Sequence, residues 1–346
     1  MTLVPAADER IAAVRPGESV ARLAALSLAA VERCGLDLHG KRVLTEAATG
    51  PYAVTPVLAA LAGAEVVAVT RATPYGSIAQ VIHETHGLAQ LLGVWDRITV
   101  KTHRDPADFA QADLITNSGH LRPIVGELAE AIRPGAALAL MFETWEIQAG
   151  RIDLDVKTIV GNGVRVAGTN ERHPNVGVFD YLGLMAVVQL ADAGIPALSS
   201  RISLLCDNPF RDYIADGLRR QGAVVTVVSS IEEVGSDACD ALLVARTPTG
   251  GSVLSEDDIS RFADRGRGAP IVQYWGDVDR EACARYSISI WPVDAPGPGH
   301  MAVLPSRPGP DAIVRLQSGG LKVGQVLLTP ASERTPADLE YLDGPL

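Results

Sequence analysis

Short apolar runs that stop abruptly in small clusters of polar side chains recur along this chain, separated by stretches with helical spacing. Val43-Leu44 ends in Thr45-Glu46-Ala47-Ala48-Thr49-Gly50, Val66–Val69 in Thr70-Arg71, and Leu114-Ile115 in Thr116-Asn117-Ser118-Gly119-His120. Ala137–Phe142 ends in Glu143-Thr144-Trp145-Glu146, and Val164–Thr169 in Asn170-Glu171-Arg172-His173. Runs of this length, buried on both faces and joined by crossover helices, are parallel strands. In open parallel sheets ligands bind beyond the carboxyl ends of the strands, where these polar clusters fall.

The order read from the sequence is a helix over Glu18–Cys34 stopped by Gly35, then strand 43–48, helix 55–63, strand 65–70, helix 77–93 and strand 97–102. Strand 112–117, helix 125–133, strand 137–142, a helix near 153–161 and strand 164–169 follow. Six strands in this alternation specify a doubly wound sheet of the dinucleotide-binding order. Val176–Ala193 reads as one long helix ended by Gly194-Ile195-Pro196, with a boundary in 197–200. A second alternation supplies five strands, at 202–206, 224–228, 241–245, 270–274 and 288–293, and a final helix over Asp311–Leu328. The polar tail from Thr329 reads as frayed. The fold class is therefore α/β: two Rossmann-like three-layer domains, 1–196 and 197–346, with mostly parallel sheets and a cleft between them.

Composition narrows the partners. The chain has 346 residues and a formal charge of −11, with no basic stripe, which disfavours nucleic acid and anionic membranes. Its N-terminus carries acids and no long apolar stretch, so it does not read as a secretory signal, and no run is long enough to span a membrane. Four scattered cysteines without a C-x-x-C fit small core residues in a reduced, cytoplasmic compartment. A small-molecule substrate is the implied partner, and a homodimer is compatible with the sequence.

The first turn, Thr45–Ala53, leads into a helix ending Ala60-Leu61-Ala62-Gly63-Ala64. It lacks the three-glycine fingerprint, and only Gly50 stands where the backbone must turn tightly. Thr49, Gly50, Tyr52 and Ala53 either let a pyrophosphate approach the helix N-terminus or form a turn that merely packs. Strand two ends in Thr70-Arg71 where a ribose-binding acid normally stands; an arginine there suits a 2′-phosphate, and so NADP over NAD, or is a solvated side chain.

Three segments carry a resemblance. Leu38-His39-Gly40-Lys41-Arg42-Val43-Leu44, Ala112-Asp113-Leu114-Ile115-Thr116-Asn117-Ser118-Gly119 and Ile132-Arg133-Pro134-Gly135-Ala136 are similar, in order and spacing, to the NAD(P)-binding domain of adenosylhomocysteinases, methylenetetrahydrofolate dehydrogenases and alanine dehydrogenases. The resemblance covers about residues 36–145. It implies a Rossmann domain and a nicotinamide cofactor contacted by Asn117, Ser118 and Gly119. No counterpart of that family's catalytic lysines or histidines stands in this chain, so the reaction does not carry over. The same first turn also reads as a degenerate adenosylmethionine loop, which keeps a methyltransferase, or another non-redox enzyme on this fold, as an alternative. A binding protein that has lost cofactor affinity is a third.

Candidate reacting groups follow from position. His173 or Glu143 would move a proton, with His120 and Glu171 as further acid–base candidates. Glu143 is expected to be a buried carboxyl of raised pKa. Arg172 and Asn170 would hold a substrate carboxylate, with Trp145 as a stacking wall. Asn208, Trp275 and His300 follow strands of the second half and would close the far side of the cleft. Each has a structural alternative: a hinge held by salt bridges with Asn175 as a cap at 170–175, a surface turn at 143–146, and a helix start at Asp207-Asn208. His83-Glu84-Thr85-His86 does not have zinc-protease spacing and reads as helix surface, and no metal site is supported. The leading expectation is a biosynthetic NAD(P)-dependent oxidoreductase acting on a small polar, carboxylate-bearing metabolite.

Overall fold

A computed structural model describes residues 15–148, 153–235 and 239–345. The N-terminal segment 1–14, on which the reading of the leader rests, lies outside the described residues. The chain divides into two units, one formed by Met1–Thr144, Arg151–Val176 and Gly309–Leu346, the other by Trp145–Gly150 and Gly177–Pro308.

In the first unit, β1 (Arg42–Glu46), β2 (Glu65–Val69), β3 (Ile98–Lys101), β4 (Leu114–Thr116), β5 (Ala137–Ala139) and β6 (Arg165–Thr169) are parallel in the spatial order 3-2-1-4-5-6. This is the doubly wound order expected from the alternation. Helix Val20–Cys34 begins at an N-capping Ser19 and ends at Gly35, whose φ of +54° a side chain would strain. Helix Val54–Leu61 is buried on nearly every face, which its sequence of small and branched apolar residues permits. Helix Pro106–Gln111, between β3 and β4, is absent from the sequence reading. Asp105 caps it by accepting from Ala107 N–H at 2.9 Å, and Pro106 opens it, a start signal in a segment too short to show periodicity.

The second unit holds β7 (Arg201–Leu205), β8 (Val224–Val228), β9 (Ala241–Ala245), β10 (Ile271–Trp275) and β11 (Ile290–Trp291), all parallel, in the order 8-7-9-10-11. This is a second doubly wound sheet with its own core, and β9 at its centre is buried throughout. The long helix expected from Val176 begins only at Leu182, after a 3-10 turn over Phe179–Tyr181, because Gly177 takes a positive φ. That helix packs on Arg211–Arg220 through two glycines: a Cβ on Gly183 would lie 2.5 Å from the Cα of Gly217.

The C-terminal segment differs from the sequence reading. Helix Asp311–Leu328 lies against β4, β5 and β6, with Gly320 and Gly324 placed where a Cβ would collide with Met141 and Leu114. The boundary in 197–200 therefore does not match the observed division, because this helix belongs with the first sheet. The tail is not frayed. Helix Pro336–Leu339 starts from a Thr335–Asp338 capping box, and β12 (Leu342–Pro345) pairs antiparallel to β6. Lys322 holds Asp338 at 3.0 Å. Gly168 leaves the room that lets Asp343 approach β6.

Candidate functional site at the carboxyl edge of the first sheet

In the order 3-2-1-4-5-6, the crossovers reverse between β1 and β4, and the crevice that forms there is the ligand position of such sheets. Three hydroxyls cluster at this edge. Thr45 and Thr116 lie 2.7 Å apart, Thr116 and Ser118 2.6 Å, and Thr45 and Ser118 3.4 Å, all buried. The Asn117 amide is 1% exposed; its Oδ1 accepts from Met141 N–H at 2.7 Å, while its Nδ2 is buried without a partner. The backbone N–H of His120 donates to Glu46 Oε2 at 2.9 Å, and the His120 Nδ1 is buried without a partner. Thr70, at the end of β2, is fully buried with its hydroxyl unpaired. A buried polar atom left unsatisfied costs about 1–3 kcal/mol.

The first turn is less open. Gly50 has φ +62° and its N–H donates to Glu84 Oε2 at 2.6 Å; Gln80 donates to the other oxygen of Glu84 at 2.8 Å. Thr49 Oγ1 donates to the Tyr75 carbonyl at 3.4 Å. Tyr52 is half-buried, Ala53 buried and Arg71 exposed. Two acids that the sequence does not mark as site residues stand here. Glu46 belongs to a strand end and reads there as part of the turn. Glu84 falls inside the His83–His86 surface motif, whose two histidines are indeed not buried.

The 170–175 cluster is held together largely by the chain itself. Arg172 Nη2 donates to Glu143 Oε2 at 2.8 Å, joining the loop after β6 to the loop after β5. Glu143 is buried as expected, but against a guanidinium. Asn170 Nδ2 donates to the Glu340 carbonyl, and Asn170 Oδ1 accepts from Arg172 N–H, so this side chain serves the tail and the loop. Glu171 is 9% exposed. His173 stacks on Tyr341 at 3.9 Å between ring centroids, and its Nδ1 accepts from Asn175 N–H at 3.2 Å. Burial holds its imidazole below the ordinary value, against a smaller upward pull from Glu340, so the ring is neutral near pH 7. Asn175 Nδ2 donates to the Arg33 carbonyl at 3.1 Å, capping the end of helix Val20–Cys34.

In the second unit the remaining candidates are occupied by packing and loop closure. Trp145 meets Phe210 and Trp275 edge-on in an apolar cluster, so it builds core where a stacking wall was expected. Trp275 Nε1 donates to the Gly299 carbonyl at 3.1 Å. Asn208 Nδ2 donates to the Ala245 carbonyl, and its Oδ1 accepts from Phe210 N–H, which makes it a loop brace between β7 and β9. His300 is exposed, with Nδ1 3.1 Å from the Pro298 carbonyl. A cavity of about 440 Å³ lies beyond β7, lined among others by Asp207, Asp212, Arg211 and Ser229. Beside it the Cys206 thiol is pushed up to about 11 by burial, which keeps it protonated and unreactive.

The architecture defines a class: a two-unit α/β protein whose first sheet has the dinucleotide-binding order. No protein-family model matches the sequence, and no curated protein matches it. Among solved structures, the chain is similar to a dipicolinate synthase polypeptide from Bacillus halodurans, with a TM-score of 0.52 and 11% identity over 85% of this chain and 100% of that one. It is also similar to the corresponding dipicolinate synthase polypeptide from Bacillus subtilis, with a TM-score of 0.50 and 11% identity over 82% and 95%. The likeness is one of fold. Among the described residues, no helix is long and apolar enough to cross a membrane.

Proposed function

We propose that this chain is an NAD(P)-dependent oxidoreductase acting on a small polar metabolite that bears a carboxylate. The observation that carries the reading is the pair of buried, unpartnered atoms at the β1/β4 switch point, Asn117 Nδ2 and His120 Nδ1. Solved structures alike in fold, whose names refer to a dicarboxylate, and the resemblance over about residues 36–145 support it.

The residues fit a nicotinamide at one end. Asn117 would donate to its amide, and Ser118, tied to Thr45 and Thr116, would hold the loop to one geometry. When bound, the nicotinamide supplies or accepts a hydride. His120, anchored through its backbone to Glu46, is the residue we assign to proton transfer. Arg172, 43% exposed, is assigned to the substrate carboxylate, with Glu143 fixing the guanidinium. Arg71 in place of a ribose-binding acid favours NADP over NAD. The phosphate end fits less well, because the Gly50 amide already has a carboxylate on it.

Thermal-shift measurements with NADPH, NADH, adenosylmethionine and adenosylhomocysteine test the reading. A ligand at about 100 times its Kd stabilises by about 2.7 kcal/mol, a shift well above the noise. Stabilisation by a nicotinamide dinucleotide supports the proposal. Stabilisation by adenosylmethionine alone would move the assignment to a methyl transfer, and no shift with any of the four would leave a binding protein without a nucleotide.

A further inference from the structure

A dinucleotide-binding turn works because an unpaired N–H at a helix N-terminus meets a phosphate. Here Gly50 opens the 3-10 turn Gly50–Ala53 that runs into helix Val54–Leu61, and Pro51 beside it has no N–H to offer. The Gly50 N–H points at a carboxylate from the chain itself, Glu84 on helix Ile78–Leu91, at 2.6 Å. Gln80 steadies the second oxygen from one helical turn earlier. A tight turn, Thr73 to Gly76, rests on the same place: Thr73 and Gly76 exchange backbone hydrogen bonds, and a Cβ on Gly76 would lie 2.5 Å from Thr49 Cγ2.

We propose that Glu84 is a built-in competitor for the phosphate position of the first turn, so that a dinucleotide binds only as this carboxylate leaves the Gly50 amide. The proposal rests on the nicotinamide reading above. Two anions cannot share one N–H, so the Gly50 amide serves either the Glu84 carboxylate or a phosphate. Apparent affinity falls with the fraction of molecules whose site is open. Glu84 thereby sets how much dinucleotide is needed to load the protein, and it also disfavours free inorganic phosphate and pyrophosphate at this turn.

The test is fluorescence titration of the full chain with NADPH and with NADH. Wild type is compared with Glu84→Ala, Glu84→Gln and Asp96→Asn, the last removing an acid elsewhere on the surface. Thermal melts confirm that each variant is folded, and Glu84→Gln keeps the size of the native side chain while removing its charge and one of its two acceptor oxygens. Binding about tenfold tighter in both Glu84 variants and unchanged in Asp96→Asn is the expected result. Equal affinity in wild type and the Glu84 variants, or weaker binding in the variants, overturns the competitor while the oxidoreductase reading stands. Absence of binding in all four proteins overturns both.

Discussion

Arg172 and Glu143 form an asymmetric ion pair: the Glu143 side chain is 3% exposed, the Arg172 side chain 43%, and Nη2 reaches Oε2 at 2.8 Å. The acid has given up its water, and the arginine has kept part of its own. Removing one partner of a buried pair costs more than the pair contributes, because a desolvated charge is left behind. With the arginine partly in water, the full penalty of about 3–5 kcal/mol is discounted, and Arg172→Met is expected to lose about 1–3 kcal/mol. Glu143→Gln, which removes the buried charge, should lose less. Urea denaturation of the two variants checks this, and a Glu143→Gln loss exceeding that of Arg172→Met would contradict the asymmetry.

His173 links stability to pH. Its folded-state value is lowered from the ordinary 6.5 by burial against Tyr341 and the 170–175 loop. A lowered folded value means that the unfolded chain takes up the proton first. The contribution is therefore complete above about pH 6.5 and is lost as pH falls below it through the folded value. Wild type should lose stability between about pH 7.5 and 5.5, and His173→Gln should lose less over that interval. Equal losses, measured as urea midpoints at the two pH values, would show that the imidazole is not the group responsible.

The expectations that agree with the structure share a physical basis. Strands such as Val43-Leu44, Val66–Val69 and Leu242–Val244 announce themselves because both of their faces are largely buried, and the crossover helices carry a strong period. Asn117, Ser118, Gly119 and His120 follow β4, beside the point where the strand order reverses. What escapes a sequence reading depends on contacts between residues distant in sequence. Nothing local in Glu84 shows that it turns inward to Gly50, 34 residues earlier. Trp145 and Asn208 sit after strands and Trp275 is the last residue of β10, as site residues often are, yet the aromatics share a core cluster and Asn208 closes a backbone loop. The short strand Leu342–Pro345 has no apolar run to betray it; it forms because β6 offers an open edge and Gly168 leaves room.

The central claim is that the nicotinamide end of a dinucleotide meets the amide of Asn117 at the β1/β4 switch point. Fluorescence titration of wild type and Asn117→Ala with NADPH addresses it directly, since only the first has the buried, unpartnered Nδ2. Saturable binding by wild type, weakened about tenfold (roughly 1.4 kcal/mol) in an Asn117→Ala variant that also loses the Met141 N–H bond but remains folded at the titration temperature, is the predicted result. Identical binding curves for the two proteins, or no saturable binding by wild type, would contradict it.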